Sequence, residues 1–381
     1  MKPFDVYPLY PIEIVKGKGS FVWDKSGNQY LDLYGGHAVI SIGHSHPYYV
    51  QKIIEQIQTL GFYSNSVHNS LQEQLAEKLG KMSDCEDYQL FMCNSGAEAN
   101  ENALKLASFF NGKTKVLAFR RAFHGRTSAA VAATDNQGIK APINFQKHVY
   151  WANMNDLEAA GDFFEDGDAC AVIIEGIQGV GGIYEPNIEF LQGLEKLCRR
   201  HNALLILDEI QSGYGRTGKF FAHQYAGITP DLITIAKGMG NGFPVGGVLI
   251  HPKLKPSKGM LGTTFGGNHL ACAASLAVLE VLESEKLIEN AANLGEYALQ
   301  KFSQIEGVKQ VRGKGLMIGI EFSFSVKDLV KQLLLEEKIF VGTSSQANVI
   351  RFLPPLCISK HEIDVFVRKL ELVLSKQEVE M

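Results

Sequence analysis

Short apolar runs alternate along this chain with longer stretches of helical spacing, and two of the runs end in an acid. Residues 171–174 lead into Glu175, and residues 204–207 lead into Asp208. Between them, residues 188–201 set Leu191, Leu194, Leu197 and Cys198 on one side of a helix. Strand, helix, strand at this spacing predicts a βαβ crossover and a parallel sheet. Leu90-Phe91-Met92 and residues 116–119, 232–236 and 244–250 read as further strands. Helical spacing recurs at 47–60 and 70–80, and again at Ala103, Leu104, Ala107 and Phe110.

Residues 1–20 read as an extended arm, and residues 135–168 as irregular. Phe21-Val22-Trp23 and Tyr30-Leu31-Asp32-Leu33 bracket a hairpin turn. From about residue 268 the texture changes. Helices are expected at 268–284, 286–305, 325–338 and 361–376, with strands at 316–322 and 349–352. The predicted class is α/β: a large, mostly parallel sheet with helices on both faces, plus a smaller α+β domain. The expected division is 1–45 for the arm and part of the small domain, 46–267 for the large domain, and 268–381 for the C-terminal small domain.

Composition narrows the function classes. The 381 residues have room for one large and one smaller domain, and 45% hydrophobic with 20% charged residues is ordinary for a globular chain. A net charge of −4 gives no electrostatic case for nucleic acid or an anionic membrane. No apolar run reaches transmembrane length, and the N-terminus lacks the regions of a signal peptide, so a cytoplasmic location is expected. The six cysteines form no CxxC pair and read as free buried thiols. His44-Ser45-His46 has no third ligand at a useful spacing, so no metal is expected.

The candidate chemistry sits where strands end. Asp208 and Lys237 both follow apolar runs, at the carboxyl ends where open α/β sheets bind ligands. A lysine next to glycines at such a place suits a Schiff base, because desolvation frees its amine. The carboxylate suits the pyridinium nitrogen of pyridoxal 5′-phosphate (PLP). Asn94-Ser95-Gly96-Ala97 joins a strand to a helix, which fits a phosphate cradle and fits a plain N-cap as well. In Phe123-His124-Gly125-Arg126 the aromatic suits a ring face and the arginine a carboxylate, although a core Phe beside a surface Arg reads equally well. Residues 213–218 match GxGxxG. They do not lie tightly between a strand and a helix, so a dinucleotide oxidoreductase is set aside.

Together with the Gly262-Thr263-Thr264 loop, these motifs in this order resemble the class III (ornithine-type) aminotransferases of PLP fold type I. The likeness spans Pro11 to about Phe366 and is nearest to members acting on N-acylated ornithines. The resemblance implies that Lys237 bonds the cofactor and shuttles a proton, and that Asp208 holds the ring nitrogen protonated. It implies that Gln211 bonds the ring's 3′ oxygen and that Phe123 stacks on the ring. Ser95, Gly96 and Ala97 would hold the phosphate, and Thr264 would reach the phosphate of a partner subunit, which makes the active unit a homodimer with shared sites. Thr263 would lie near substrate, and Arg126 and Arg351 would bind carboxylates.

One departure stands out. The family usually carries a second glutamate where this chain has Val180, and Val180 cannot pair with Arg351. The implied reaction moves the δ-amine of N-acetylornithine or N-succinylornithine to 2-oxoglutarate, in arginine biosynthesis. The alternatives are an ω-aminotransferase for ornithine, 4-aminobutyrate or lysine, and a PLP aminomutase of the same fold.

Overall fold

In the computed structural model of the protein, residues 1–145 and 147–379 are described. Three strands open the chain: β1 (Ile14–Lys18), β2 (Phe21–Asp24) and β3 (Gln29–Leu33). The next seven build the larger sheet: β4 (Gln89–Cys93), β5 (Lys115–Phe119), β6 (Val149–Ala152), β7 (Ala169–Glu175), β8 (Leu204–Asp208), β9 (Leu232–Ile235) and β10 (Gly246–Ile250). Their order is β4-β10-β9-β8-β7-β5-β6. Only β10 runs against its neighbours; the rest of the sheet is parallel, as the crossover pattern predicts.

Every residue of β7, β8 and β9 is buried, which is why these strands read as unbroken apolar runs rather than as an alternation. Their two faces still separate. Val172 and Ile174 pack with Phe190, Leu191, Leu194 and Cys198 of the helix Ile188–His201. Ala171 and Ile173 pack with Ala99, Ala103 and Ala107 of the helix Gly96–Asn111. A helix on each face is the doubly covered arrangement a parallel sheet requires.

The second sheet adds β11 (Val308–Lys314), β12 (Met317–Phe322), β13 (Ile339–Thr343) and β14 (Val349–Phe352) to the opening strands, in the order β1-β2-β3-β13-β14-β12-β11. Among its pairings only β3 with β13 is parallel. The sequence reading missed four strands. β1 is almost wholly exposed, β11 is polar and half exposed, β6 is a four-residue edge strand inside the stretch read as irregular, and β13 follows a helix whose apolar pattern runs into it. Among the described residues no helix is long and apolar enough to cross a membrane.

The segment that matched GxGxxG turns out to be a fastener. Arg216 is 2% exposed and donates to the carbonyls of Leu316, Pro354 and Ile40, so it ties the turn after β8 to the second sheet. Burial pushes its pKa down to about 9. Gly315, in the turn between β11 and β12, lies against the same segment. A Cβ there would sit 2.4 Å from the Thr217 carbonyl carbon and 2.7 Å from the Gly218 nitrogen, and its φ is +53°. Backbone cannot give way as a side chain can, so Gly315→Ala is expected to cost ~2–4 kcal/mol, read as a fall in the denaturant midpoint at unchanged slope.

Candidate active site

The carboxyl ends of the parallel strands converge on a cavity of about 420 Å³, a usual size for a small-molecule site. Ser95, Gly96, Ala97, Phe123, Arg126, Asp208, Gln211 and Lys237, all singled out from the sequence, line it. Three others lie elsewhere. Arg351, on β14, reaches the site through Gln211, whose Oε1 accepts from its Nη1 at 3.4 Å. The Thr263 hydroxyl accepts from Asn94 Nδ2 at 3.2 Å, at the cavity's edge. Thr264 is exposed and does not line this chain's cavity.

Lys237 follows β9 by two residues, with φ +44°, an uncommon conformation for a lysine and one that recurs at functional sites. Its amine has no hydrogen bond or ion pair among the described residues. Burial lowers its pKa, while the charges of Asp208 and Glu175 act the other way. Asp208 is 4% exposed and its carboxylate is tightly held. Oδ2 accepts from Asn100 Nδ2 (2.8 Å) and pairs with His124 Nδ1 (2.7 Å), and Oδ1 accepts from the Ile210 amide (3.1 Å).

Asn100 and His124 escaped the sequence reading. Both sit inside motifs that it used, but only the fold shows that Asn100, one helical turn past the phosphate-type turn, reaches β8. Thr234 on β9 fixes Asn100 in turn, donating to its Oδ1 at 2.7 Å.

The helix Gly96–Asn111 brings its N-terminus to the same cavity. Ser95 caps it, accepting from the Glu98 amide at 3.2 Å. The Gly96 and Ala97 amides are first-turn donors with no partner inside the helix. Gly125, with φ +139°, lies so close to this turn that a Cβ there would be 2.8 Å from Ala97 Cβ.

A turn after β3 closes another side. Gly35, Gly36, His37 and Ala38 all have positive φ, and Asp32 Oδ1 holds the turn by accepting from the Tyr34 and Gly35 amides. Gln211 Nε2 donates to the His37 carbonyl at 3.1 Å. Burial, with Arg351, Lys237 and Arg126 nearby, pushes the His37 imidazole down to about 4, so it is neutral near pH 7.

An unengaged amine, a buried carboxylate, free helix-terminal amides and an aromatic around one cavity are the donor set that PLP requires. The fold and site therefore define a PLP-dependent enzyme of the aminotransferase kind. Residues 5–374 match the family Aminotransferase class-III, and the chain belongs to it. It is 42% identical over 378 residues to the acetylornithine aminotransferase of Bacillus subtilis (strain 168), covering 98% of this chain and 97% of that one. It is 41% identical to the acetylornithine aminotransferase of Methanothermobacter thermautotrophicus, covering 97% and 95%. Among solved structures, the ornithine aminotransferase from Toxoplasma gondii ME49 superposes with a TM-score of 0.92 at 29% identity, covering 100% of this chain and 94% of that one.

Proposed function

We propose that this enzyme moves the δ-amine of an N-acylated ornithine, with N-acetylornithine the donor its relatives' names favour, to 2-oxoglutarate. The products are the semialdehyde and glutamate, a step of arginine biosynthesis in the cytoplasm. The observation that carries the reading is Arg351. It is 2% exposed, and its hydrogen bonds go to the Thr343 carbonyl and the Gln211 amide, both neutral. A buried guanidinium with no carboxylate partner among the described residues calls for an anionic ligand, and the α-carboxylate of an oxo acid is one. Arg126 at the exposed rim of the cavity suits a second carboxylate.

When bound, PLP supplies an electron-withdrawing ring that stabilises charge on the carbon losing its proton. The protein's part is position and proton control. Asp208 would keep a proton on the ring nitrogen, Ser95 and the Gly96 and Ala97 amides would hold the phosphate, and Phe123 would cover one ring face. The Lys237 amine would carry the proton between the two carbons that exchange it.

The same reading takes the working unit to be a homodimer with shared sites. Tyr48, Ile54, Ile57, Phe62 and Phe265 are exposed, and the rings of Phe62 and Phe265 lie 5.5 Å apart. Such an apolar surface beside Thr264 fits a second copy, with Thr264 and Thr263 serving the shared site. Light scattering should give twice the chain mass.

Single-turnover absorbance with N-acetylornithine, N-succinylornithine, ornithine, 4-aminobutyrate and lysine tests the donor. One acylated ornithine should convert the cofactor to its amine form, and 2-oxoglutarate should restore it. Conversion by an unacylated donor alone would favour another ω-aminotransferase, and conversion by none would favour an aminomutase. Val180 lines the cavity, and its carbonyl accepts from Ser345 two residues after Thr343. Val180→Glu adds a competing partner for Arg351, so KM for 2-oxoglutarate should rise ~10-fold, about 1.4 kcal/mol. Unchanged KM and donor preference would show that position 180 does not govern selection.

A further inference from the structure

Two acids end adjacent strands of the parallel sheet. Glu175 on β7 and Asp208 on β8 are direct register partners, so both side chains leave the same edge of the sheet about one strand spacing apart. Both are buried, at 6% and 4% exposure. Two like charges this close in a poorly solvated place favour one protonated member, and the one with fewer donors holds the proton. Asp208 has the Asn100, His124 and Ile210 donors described above. Among the described residues Glu175 has two donors, both backbone amides: Phe123 N on Oε1 at 3.0 Å and Gly179 N on Oε2 at 2.9 Å.

Those two bonds also fix where Glu175 is. With one amide on each oxygen, its carboxyl is pinned and cannot swing toward a cation. Among the described residues, the charged or titratable groups that act on it from the surrounding elements are Asp208, its register partner on β8, His124, which pairs with Asp208, Lys237, which lines the same cavity after β9, and Arg351 on β14. Gly179, whose amide bonds Glu175, lies so close to Gln211 that a Cβ there would be 1.7 Å from its Oε1, the atom that accepts from Arg351, so Glu175 and Arg351 are joined through two intervening residues and Glu175 acts to raise the Arg351 pKa against burial. Val180 adds no charge.

We propose that Glu175 is the internal counter-charge of Arg351, acting in place by gaining a proton when a ligand carboxylate arrives and losing it when that carboxylate leaves. With an anion on Arg351, an ionised Glu175 is a surplus negative charge in a buried site, and a proton from solvent neutralises it. With a donor whose reacting carbon carries no carboxylate, Glu175 ionises and balances Arg351 from a distance. Burial raises its pKa to about 7, with His124 opposing and Asp208 adding to the rise, so the exchange falls in the working range. Because the site prefers the protonated form more strongly once the anion is bound, binding takes up a proton and weakens as pH rises. The inference rests on the reading that Arg351 receives a substrate carboxylate.

The test uses the PLP-loaded enzyme and glutarate, a dicarboxylate that cannot react. Calorimetry in two buffers of different ionisation enthalpy reads proton uptake directly, while absorbance follows any protonation at the cofactor. Above pH 7, affinity should fall by up to ~10-fold per pH unit, with uptake approaching one proton. Glu175→Gln should abolish the part that absorbance does not account for. Gln has one acceptor where two amides need one each, so an infrared difference spectrum of the unaltered enzyme with ¹³C-glutarate provides a second readout. A carboxylic-acid band should appear on binding. Equal enthalpies in both buffers, uptake undiminished in Glu175→Gln, or no such band would overturn the proposal. Failure of 2-oxoglutarate to react in single turnover would instead overturn the reading of Arg351.

Discussion

Lys237→Ala is expected to lower single-turnover transamination by up to ~10⁴-fold and to leave the fold intact. Among the described residues Lys237 is the one lysine lining the cavity. Nothing among the described residues bonds its amine, so no competing contact holds it away from a substrate carbon. Burial lowers its pKa, which makes the neutral amine more available as a base.

Stability provides the control for this variant. A lysine whose folded pKa lies below its unfolded value costs stability at pH values below that unfolded value, neutral pH included, and the cost is lost only as pH rises through it. The variant without PLP should therefore melt no lower than its parent, since alanine at φ +44° is no more strained than lysine there. A Lys237→Ala enzyme that still turns over acylornithine within ~100-fold of the parent would refute the assigned role.

What could be read in the sequence divides along physical lines. Strands buried on both faces show as apolar runs, and the helix between β7 and β8 shows by its spacing, so the large sheet was legible and the 188–201 bounds matched. Edge strands such as β6 and β11 gain their stability from pairing rather than from apolar side chains, and a pattern search passes over them. The same division holds in the site. Asp208 and Lys237 came from their place at strand ends, while Ser95, Gly96, Ala97, Phe123 and Gln211 were fixed as site residues by the family resemblance of their motifs. Contacts between distant segments could not be read in either way: Asn100 to Asp208 spans 108 positions and Gln211 to His37 spans 174. Arg216 shows the converse: the glycine-rich string that matches a dinucleotide loop, set aside from its placement in the sequence, is a fastener between sheets. The left-handed turn at residues 35–38 is held by Asp32, which read from the sequence as one more strand residue.

Asp208→Asn should cost both activity and stability, and the two losses have different causes. Activity falls because a neutral amide no longer favours a proton on the ring nitrogen. Loss of one preorganised charge of this kind in a buried site is worth ~10²–10³-fold in kcat. Stability falls because the carboxylate is an acceptor on both oxygens. An amide NH₂ placed at Oδ2 would face Asn100 Nδ2 and His124 Nδ1, both of which donate there. Turned the other way, it would face the Ile210 amide. His124 could answer by moving its proton to Nε2, but that atom is buried with no acceptor among the described residues. Each orientation therefore leaves at least one buried donor without a partner, a cost of ~1–3 kcal/mol.

Asn100→Ala separates the two effects. It removes one donor to Asp208 but keeps the charge, so kcat should change by no more than ~10-fold. It also strands the Thr234 hydroxyl, which donates to Asn100 Oδ1, so its melting temperature should fall as well. Kinetics of both half-reactions and thermal melts of all three proteins, with and without PLP, decide the matter. If Asp208→Asn keeps kcat within ~10-fold of the parent while Asn100→Ala does not, the carboxylate is serving Asn100 and the helix rather than the cofactor's nitrogen.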